Sequence, residues 1–446
     1  MSPKRRRHRT RDAEHVAPHE EEVGLGMGSA AQRYAAYKAE AQAASSLRAR
    51  WVSTLSFTPD PFQIQALDAV EAGSSVLVAA PTGAGKTIVG QFGAYVALEQ
   101  GMRAFYTTPI KALSNQKYLE LCDLYGADNV GLATGDTSVN SGAPVVVMTT
   151  EVLRNMIYAG APLRDLGVVI LDEVHYLADK MRGPVWEEVI IHLPAHVAII
   201  ALSATVSNAE EFGAWIREVR SSCEIIVSEK RPVPLYQHMI VGEEIFDLYA
   251  PTGKGKLNPE LVAATGDSGM RGGRGSRSWN RSPRVRRESR PSTLISLDRA
   301  HLLPAITFIF SRAGCEDAVR QVLLTRITLT TRSEAAAIER YVDEVIALIA
   351  PEDAVVLGVD AHHAGMLPLM KETVEHLFSE GLVKMVYATE TLALGINMPA
   401  RTVVIESLTK WNGSAHVSLS AGEYTQLSGR AGRRGIDTEG HAVVSH

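Results

Sequence analysis

"SVLVAAPTGAGKT", residues Ser75 to Thr87, is the stretch of sequence that decides the fold. A short apolar run leads into a loop containing Gly83 and Gly85, and "IVGQFGAYVALEQ" behind the loop has helical spacing. Glycine permits the backbone angles that turn amide groups around phosphate oxygens, and a helix N-terminus favours an anion. The stretch predicts a strand, a phosphate-binding loop and a helix; a plain glycine-rich turn is the alternative interpretation.

The loop predicts a site for a nucleoside triphosphate and Mg²⁺, with ATP as the nucleotide once the later motifs are taken into account. Lys86 is expected to reach the β and γ phosphates, and the Thr87 hydroxyl to bind the metal. The rest of the predicted nucleotide-binding loop is Ala80, Pro81, Thr82, Gly83, Ala84 and Gly85, with Ala80 standing where the usual pattern has glycine. In "VVILDEVH", Asp172 is expected to hold Mg²⁺ and Glu173 to orient or deprotonate the attacking water. Read alone, this acidic pair is also typical of a helix N-cap.

Further apolar runs alternate with helical segments and predict parallel sheets covered on both faces. The first series is "SVLVAA", "RAFYTT", "VVVMTT", "LGVVILDE" and "VAIIALSA"; the second is "ITFIFS", "AVVLGV", "LVKMVYAT" and "RTVVIES". "SEAAAIERYVDEVIALI" is a probable helix of the second series. We therefore predict an α/β protein with a mobile tail over residues 1–45, an ATP-binding domain over 46–228 and a second domain over 229–446, interrupted by an insertion over 251–291.

Composition limits the class of protein and leaves its partners open. The 446 residues are 46% hydrophobic, without an apolar run near the roughly 20 residues of a membrane span, and no apolar stretch follows the basic N-terminus. Three scattered cysteines argue against a disulfide framework or a clustered metal site. Adjacent His362 and His363 have no accompanying cluster of ligands. We expect a cytoplasmic protein.

The net charge of −5 is unevenly distributed along the chain. The insertion holds ten Lys and Arg against three Asp and Glu, a balance of +7, which leaves −12 for the other residues. Its eight arginines, with Trp279 among them, are suited to contact phosphates and stack a base, but a solvated loop is the simpler interpretation. Total charge therefore does not identify a partner.

Ten motifs in order make the chain resemble the superfamily 2 helicases of DExH type, in the branch related to the RNA helicases of the Ski complex and the nuclear exosome. They lie between about residues 57 and 437: "DPFQIQAL", "APTGAGKT", "TTPIKALSNQK", "TGD", "TTEVLRNM", "DEVH", "SAT", "HHAGMLP", "ATETLALGINMPA" and "QLSGRAGRRG". The resemblance implies two tandem RecA-like domains, each a mostly parallel sheet with helices on both faces.

The resemblance also assigns roles at the nucleotide site. It implies that Phe57 stacks near the adenine, that Gln63 hydrogen-bonds the adenine edge, and that Gly395 and Asn397 also lie at the nucleotide. In the second domain it implies a catalytic set of Gln426, Arg430 and Arg433, the arginines facing the γ-phosphate across the cleft as arginine fingers. A helix cap and core residues, or a solvated basic helix end, are the respective alternatives.

A track for one nucleic-acid strand is implied on one face of both domains. The matching residues are Thr108, Pro109, Lys111, Gly135, Thr149, Thr150 and Glu151 in the first domain, and Ser311, Arg312 and Thr389 in the second. Amides, hydroxyls and a few cations suit sequence-independent phosphate binding. His175 and Gln426 are expected to couple nucleotide state to Ser203 and Thr205 of "SAT", although a histidine there also suits a local hydrogen bond.

The leading interpretation is an ATP-dependent helicase that moves 3′ to 5′ along single-stranded RNA or partly duplex RNA, with a possible tie to RNA-degradation machinery by family resemblance. A DNA-repair helicase uses the same chemistry on DNA. From another class, an ATP-gated nucleic-acid clamp or remodelling subunit would unwind little. Family members continue past "GRAGRRG" into winged-helix and helical-bundle domains, which are absent here, so we expect a truncated core.

Overall fold

The structure is a computed structural model that describes residues 46–178, 183–204, 209–251, 255–268, 289–346, 360–362, 368–393 and 398–445. The chain divides into two compact units, Met1–Leu55 and Ser56–His446. The described part of the first unit contains helix α1 (Leu47–Ser53), which begins where the Ser46 hydroxyl accepts a hydrogen bond from the Ala49 amide at 3.0 Å. The tail predicted over 1–45 lies outside the described residues. Everything below concerns the second unit.

The N-terminal half of this unit forms an eight-stranded sheet. Its strands are β1 (Val76–Ala79), β2 (Arg103–Thr108), β3 (Val130–Ala133), β4 (Ser138–Val139), β5 (Val145–Thr149), β6 (Leu166–Leu171), β7 (Ala198–Ser203) and β8 (Glu224–Val227). The order across the sheet is β4-β3-β5-β2-β6-β7-β1-β8, and all neighbours are parallel except β3 and β4. The central strands are buried along their length, as expected for a sheet covered on both faces.

Helices cover both faces of the first sheet. They are α2 (Pro61–Glu71), α3 (Thr87–Glu99), α4 (Lys111–Tyr125), α5 (Thr150–Tyr158), α6 (Gly183–His192) and α7 (Ala209–Arg220). Helix α3 packs so closely that a Cβ at Gly93 would lie 2.1 Å from Cδ1 of Ile200, which only glycine avoids. On the opposite face, Trp186 and Phe105 belong to one buried apolar cluster. This packing makes the first sheet a rigid support for the loops at its edge.

The C-terminal half forms a seven-stranded sheet and a separate hairpin. The sheet strands are β9 (Leu235–Val241), β10 (Glu244–Asp247), β11 (Ala305–Phe308), β12 (Asp360–His362), β13 (Met385–Ala388), β14 (Thr402–Ile405) and β17 (Gly440–Ser445), and the hairpin is β15 (Thr409–Trp411) with β16 (His416–Ser418). The sheet order is β10-β9-β17-β14-β11-β13-β12, with only β9 and β10 antiparallel. Its helices are α8 (Pro259–Ser268), α9 (Arg290–Arg299), α10 (Arg312–Leu324), α11 (Arg332–Ile346), α12 (Pro368–Ser379), α13 (Glu390–Ala393) and α14 (Ala421–Ser428).

The structure confirms the predicted α/β class, with two mostly parallel sheets in tandem. Eight of the nine predicted runs contain a strand, and the ninth, "AVVLGV" at 354–359, lies outside the described residues. The stretch interpreted as an insertion, 251–291, contains regular structure that we did not predict. Helix α8 begins there because Pro259 suits a first helical turn and the Asn258 side chain accepts from the Glu260 amide at 3.0 Å, and Leu261 is buried.

None of the helices in the described part of the chain is long and apolar enough to cross a membrane.

Candidate active site

The phosphate-loop sequence forms a tight turn between β1 and α3. Gly83 and Gly85 adopt φ angles of +80° and +81°, the left-handed region that favours glycine. At Gly85 a Cβ would also lie 2.7 Å from Nε2 of Gln63, so both conformation and space exclude a side chain. The loop ends at the N-terminus of α3, where backbone amides and the helix dipole favour an anion.

Lys86 places its ammonium group in the mouth of this loop. Its Nζ donates to the carbonyl oxygens of Ala80 at 2.7 Å and Pro81 at 3.1 Å. Burial lowers the pKa of Lys86, while Glu173 and Asp172 oppose that shift. A partly desolvated cation beside two carboxylates is the charge arrangement that a magnesium–triphosphate group needs.

Asp172 is held in one orientation directly after β6. One oxygen, Oδ1, accepts from the Glu173 amide at 2.9 Å, and Oδ2 accepts from the Tyr106 hydroxyl at 2.8 Å. Burial raises the pKa of Asp172, and the neighbouring Glu173 raises it further. A bound Mg²⁺ would favour the ionised carboxylate, so these residues fit a metal at Asp172 and Thr87.

Glu173 adopts an unusual backbone conformation for a residue with a side chain, with φ at +53°. Such conformations cluster at functional sites, where the surrounding structure enforces them. Its buried Oε2 lies 3.2 Å from Nδ1 of His175, without the alignment of a hydrogen bond. A carboxylate oxygen with unused acceptor capacity is suited to take a hydrogen bond from an attacking water.

The second sheet contributes arginines to the same region. Burial lowers the pKa of Arg430, whereas Glu173 opposes that shift, and Arg430 in turn lowers the pKa of Lys86. At the end of α14, a Cβ on Gly429 would lie 3.0 Å from the Thr82 side chain. The carboxyl end of α14 therefore lies against the phosphate loop, and Arg430 lies within electrostatic reach of Lys86 and Glu173.

Arg433 and Arg434 point to different partners. Arg433 forms a side-on pair with Asp437, with Nε to Oδ2 at 2.8 Å and Nη2 to Oδ1 at 2.9 Å. Arg434 crosses the cleft, donating to Asp60 Oδ2 at 3.2 Å and to the Ala84 carbonyl at 3.4 Å. Arg434, which the sequence did not single out, thus touches the phosphate loop directly.

The predicted adenine-reading residues flank the loop. Gln63 is buried and donates to the carbonyls of Ala84 at 3.2 Å and Gly85 at 2.9 Å, while its Oε1 accepts from the Asp60 amide at 2.7 Å. Phe57 is 48% exposed and thus accessible to a ring. Gly395, Asn397 and Thr205 lie outside the described residues. Ser203 ends β7, where its carbonyl accepts from the Ala80 amide at 3.1 Å.

The predicted track residues collect at the carboxyl ends of adjacent strands. In the first sheet they follow β2, β3 and β5, and Lys111 pairs with Asp136, next to Gly135, at 2.6 Å. Thr108 and Thr150 are fully buried, and the Thr150 hydroxyl donates to the Thr108 carbonyl at 3.3 Å, so these hydroxyls support the edge rather than line it. Glu151 and Thr149 are half-buried beside them, and Pro109 is buried.

In the second sheet, Ser311 and Thr389 follow the neighbouring strands β11 and β13. Ser311 caps α10 by accepting from the Gly314 amide at 3.2 Å, and Arg312 is exposed at the first position of that helix. Gln426 is half-buried in α14. The structure therefore brings the candidate track residues of each sheet to one edge of that sheet.

Four residues at this site went unnoticed in the sequence: Tyr106, Asp60, Asp437 and Arg434. Signals for two of them exist. Asp60 precedes Pro61 and lies three residues before Gln63, the pattern of a capping box, and Asp437 lies four residues after Arg433. Tyr106 has no such signal, because Thr107 and Thr108 are also buried hydroxyl residues of the same strand. Nothing local points to Arg434, because its partners lie about 350 residues away.

Comparison with known proteins agrees with this geometry. Residues 60–212 match the family described as DEAD/DEAH box helicase, and residues 323–435 match the helicase conserved C-terminal domain. A probable helicase, HelY, of Mycobacterium tuberculosis is 53% identical over 422 residues, covering 89% of this chain and 46% of that protein.

Two eukaryotic proteins are also similar. The chloroplastic DExH-box ATP-dependent RNA helicase DExH15 of Arabidopsis thaliana is 41% identical over 88% of this chain and 37% of its own length. Human superkiller complex protein 2 is 42% identical over 87% of this chain and 33% of its own length. The chain thus spans less than half the length of these curated relatives.

The two matched domains follow the predicted order, one on each sheet. The first contains the phosphate loop and the DEVH carboxylates, and the second contains the arginine segment. The chain belongs to the superfamily 2 DExH-box helicases with two RecA-like domains, and it is similar to the branch that includes the Ski-complex and exosome-associated RNA helicases.

Proposed function

We propose that the chain is the motor core of an ATP-dependent helicase that moves 3′ to 5′ along single-stranded RNA. The observation that carries the proposal is the contact of the arginine segment of the second domain with the phosphate loop of the first: Arg434 donates to the Ala84 carbonyl at 3.4 Å and to Asp60 Oδ2 at 3.2 Å. A site divided in this way links the chemistry of ATP to the separation of the two domains.

The residues divide the work of hydrolysis. Lys86 and the loop amides would bind the β and γ phosphates, and Thr87 and Asp172 would hold Mg²⁺. Bound Mg²⁺ neutralises phosphate charge and polarises the terminal phosphoryl group. Glu173 would orient the attacking water with its buried carboxylate. Arg430 and Arg433 would stabilise the charge that develops on the transferred phosphoryl group.

RNA is the proposed track because two of the similar proteins are named as RNA helicases, in Arabidopsis and mouse. We also propose that the protein acts in the cytoplasm, as its composition led us to expect, and, by the same resemblance, in association with RNA-degradation machinery. Superkiller complex protein 2 is named for a complex, which suggests that partner class. Co-purification of an exoribonuclease with the chain would support that part, and a chain that purifies alone at endogenous levels would contradict it.

Steady-state ATP hydrolysis tests the proposed motor and its track. We would measure it with no polynucleotide, with single-stranded RNA and with single-stranded DNA of the same length, at the same salt concentration, because phosphate binding is strongly salt-dependent. We expect RNA to stimulate hydrolysis at least tenfold and DNA to stimulate it less. Equal stimulation would favour a helicase that acts on DNA as well, and no stimulation by either would contradict the motor.

Strand displacement separates a motor from a clamp. Duplexes with a 3′ or a 5′ single-stranded overhang would be mixed with the chain and ATP, and the Lys86→Ala variant would serve as the control without turnover. We expect displacement from the 3′ overhang only. Stimulated hydrolysis without displacement from either duplex would favour the ATP-gated clamp or remodelling subunit.

A further inference from the structure

Tyr106 is a buried side chain that contacts the metal carboxylate but has no place in the chemistry above. It lies in the middle of β2 with its ring fully buried, and its hydroxyl donates to Asp172 Oδ2 at 2.8 Å. Together with the Glu173 amide on Oδ1, this bond fixes the rotation of the carboxylate.

Lys117 places its ammonium group over the ring of Tyr106. This side chain is 7% exposed on α4, with Nζ 5.5 Å from the centre of the ring and paired with Glu120. Tyr106 therefore lies between this ammonium group and Asp172, in contact with both. A buried ammonium group stacked on a tyrosine is held more rigidly than an exposed lysine, because it has given up its hydration to that contact.

The same helix contacts β2 at a second point, which belongs to the proposed track. Oγ of Ser114 lies 2.7 Å from Oγ1 of Thr108, and both residues are fully buried. Ser114 and Lys117 are three positions apart and therefore share one face of α4. Lys111, a proposed track residue, begins this helix, about 9 Å along its axis from Lys117 at roughly 1.5 Å per residue.

Helix α4 therefore contacts β2 at two residues: Lys117 contacts Tyr106, and Ser114 contacts Thr108. At one contact, Thr108 and Lys111 stand at the sheet edge; at the other, Tyr106 holds Asp172. Packed helices and strands move as rigid pieces, so a displacement of 108–111 displaces Lys117 and Tyr106 as well.

We propose that Tyr106 and Lys117 are positioning residues that orient Asp172 for Mg²⁺ and make its metal affinity respond to a strand bound at residues 108–111. The second half of this inference rests on the proposed function, since it requires a nucleic-acid track. The first half does not, because it concerns only the metal carboxylate. Removing a hydrogen-bond partner of a ligand typically lowers metal affinity about 10- to 100-fold.

The Tyr106→Phe variant tests the first half. Binding of a fluorescent ATP analogue would be followed while Mg²⁺ is added, starting in EDTA and without polynucleotide. We expect the Mg²⁺ concentration for half-maximal effect to rise about tenfold, with affinity in EDTA within twofold of wild type. An unchanged Mg²⁺ dependence would overturn the role of Tyr106.

Tyr125→Phe is the matched control. Its hydroxyl donates to the Gln91 carbonyl at 2.6 Å, so the substitution removes a hydrogen bond of a half-buried tyrosine from the same domain without touching Asp172. We expect its Mg²⁺ dependence to match that of wild type. An equal rise in both variants would show a general loosening of the domain and would overturn the proposal.

Lys117→Met tests the second half, because methionine keeps an apolar stem of similar length and lacks the charge. The same titration would be run with and without single-stranded RNA. In wild type we expect RNA to lower the half-maximal Mg²⁺ concentration at least threefold; in Lys117→Met that shift should be lost, and in Lys117→Arg largely kept. A shift in Lys117→Met equal to that of wild type would overturn the coupling.

The outcomes separate this inference from the proposed function. If RNA stimulates hydrolysis in wild type but does not shift its Mg²⁺ dependence, the motor stands and the coupling is wrong. If RNA has neither effect, the motor and the coupling both fail, while the Tyr106→Phe titration still decides the role of the tyrosine. Thermal unfolding of each variant would confirm that it is folded before titration.

Discussion

Lys86 is the residue on which the nucleotide site most depends. Its Nζ donates to two loop carbonyls, those of Ala80 and Pro81. When a nucleotide binds, Nζ would exchange these carbonyls for phosphate oxygens, whose negative charge makes the hydrogen bonds stronger. Lys86 is half-buried, and burial lowers its pKa. Its positive charge is consequently felt strongly by any anion in the loop.

Lys86→Ala should weaken ATP binding about 100-fold, or about 3 kcal/mol, because it removes charge-assisted hydrogen bonds in a partly desolvated site. Equilibrium binding of a fluorescent ATP analogue measures the loss. Lys384→Ala is the control, since Lys384 precedes β13 of the second sheet and pairs with Glu334, without a role at the nucleotide site. Normal affinity in Lys86→Ala would remove the phosphate-loop assignment.

Arg433 is the residue whose substitution tests how the second domain contributes to ATP hydrolysis. Its side-on pair with Asp437 uses Nε and Nη2, and the Asp437 side chain is only 5% exposed. A carboxylate in this position orients a guanidinium group rather than merely neutralising it, since a bidentate pair has one geometry. This pair is compatible with a finger whose Nη1 edge faces the cleft.

Arg433→Ala should keep ATP binding within about threefold of wild type and lower the hydrolysis rate about 1,000-fold, the usual cost of losing an arginine finger. Single-turnover hydrolysis and nucleotide binding measure the two effects. Because the substitution leaves Asp437 without its partner, the double variant Arg433→Ala, Asp437→Asn controls for a buried charge. Wild-type rates in either variant would place the finger at Arg430 or Arg434 instead.

At the scale of elements, β17 pairs with β9 in the second sheet, and a pair of histidines links the side chains of the two strands. Nε2 of His238 on β9 lies 2.9 Å from Nδ1 of His441 on β17, and Asp247 and Glu439 lie at the two outer ring nitrogens, 2.9 and 3.5 Å away. Burial lowers the pKa of both histidines; at His238 Asp247 opposes the shift, and at His441 the neighbouring His238 adds to it. The folded chain thus holds this pair less protonated than the unfolded chain does.

Because of this histidine pair, the free energy of unfolding should decrease as the pH is lowered. Since the folded pKa values lie below the ordinary value of 6.5, the stability is full above pH 6.5 and declines as the pH falls below it, where the unfolded chain binds more protons. The free energy of unfolding in urea, measured from pH 7.5 to 5.5, should fall less steeply in His238→Gln, which keeps a polar group at this position. An identical slope in wild type and variant would contradict this account.

The strands were readable from sequence and their pairing only in part. Runs such as "RAFYTT" and "LGVVILDE" contain β2 and β6 because buried parallel strands are continuous apolar segments. The pair β3 and β4 was missed, since a four-residue strand containing glycine and a two-residue strand have no usable periodicity. The neighbours of β17 could not be foreseen either, because β9 lies about 200 residues earlier.

At the candidate site, too, the sequence predicts features that lie within one local motif and does not predict contacts between distant parts of the chain. Lys86, Asp172 and Glu173 stand out in the sequence because each lies in a local pattern with a chemical reason for its spacing, and their roles stay predictions. The contacts of Tyr106 with Asp172 and of Arg434 with Ala84 could not be predicted, because they join separate strands and separate sheets. Local sequence therefore predicts the ligands of the nucleotide, and only the fold reveals the residues that orient them.

At the scale of the whole molecule, we propose that one ATP site is assembled from two sheets. The phosphate loop and the carboxylates lie on the first, and the arginine segment reaches them from the second. The chain spans less than half the length of its curated relatives, so the proposed motor concerns this two-domain core. ATP bound at such a site favours one distance between the two domains, and release of the nucleotide favours another.

Single-turnover hydrolysis by wild type and Glu173→Gln, with and without single-stranded RNA, tests the central claim most directly. The substitution keeps the size of the side chain and removes the carboxylate that orients the water. The account predicts ATP affinity within about threefold of wild type, hydrolysis slower by at least about 100-fold, and stimulation by RNA in wild type alone. Equal hydrolysis by the two proteins would contradict the account.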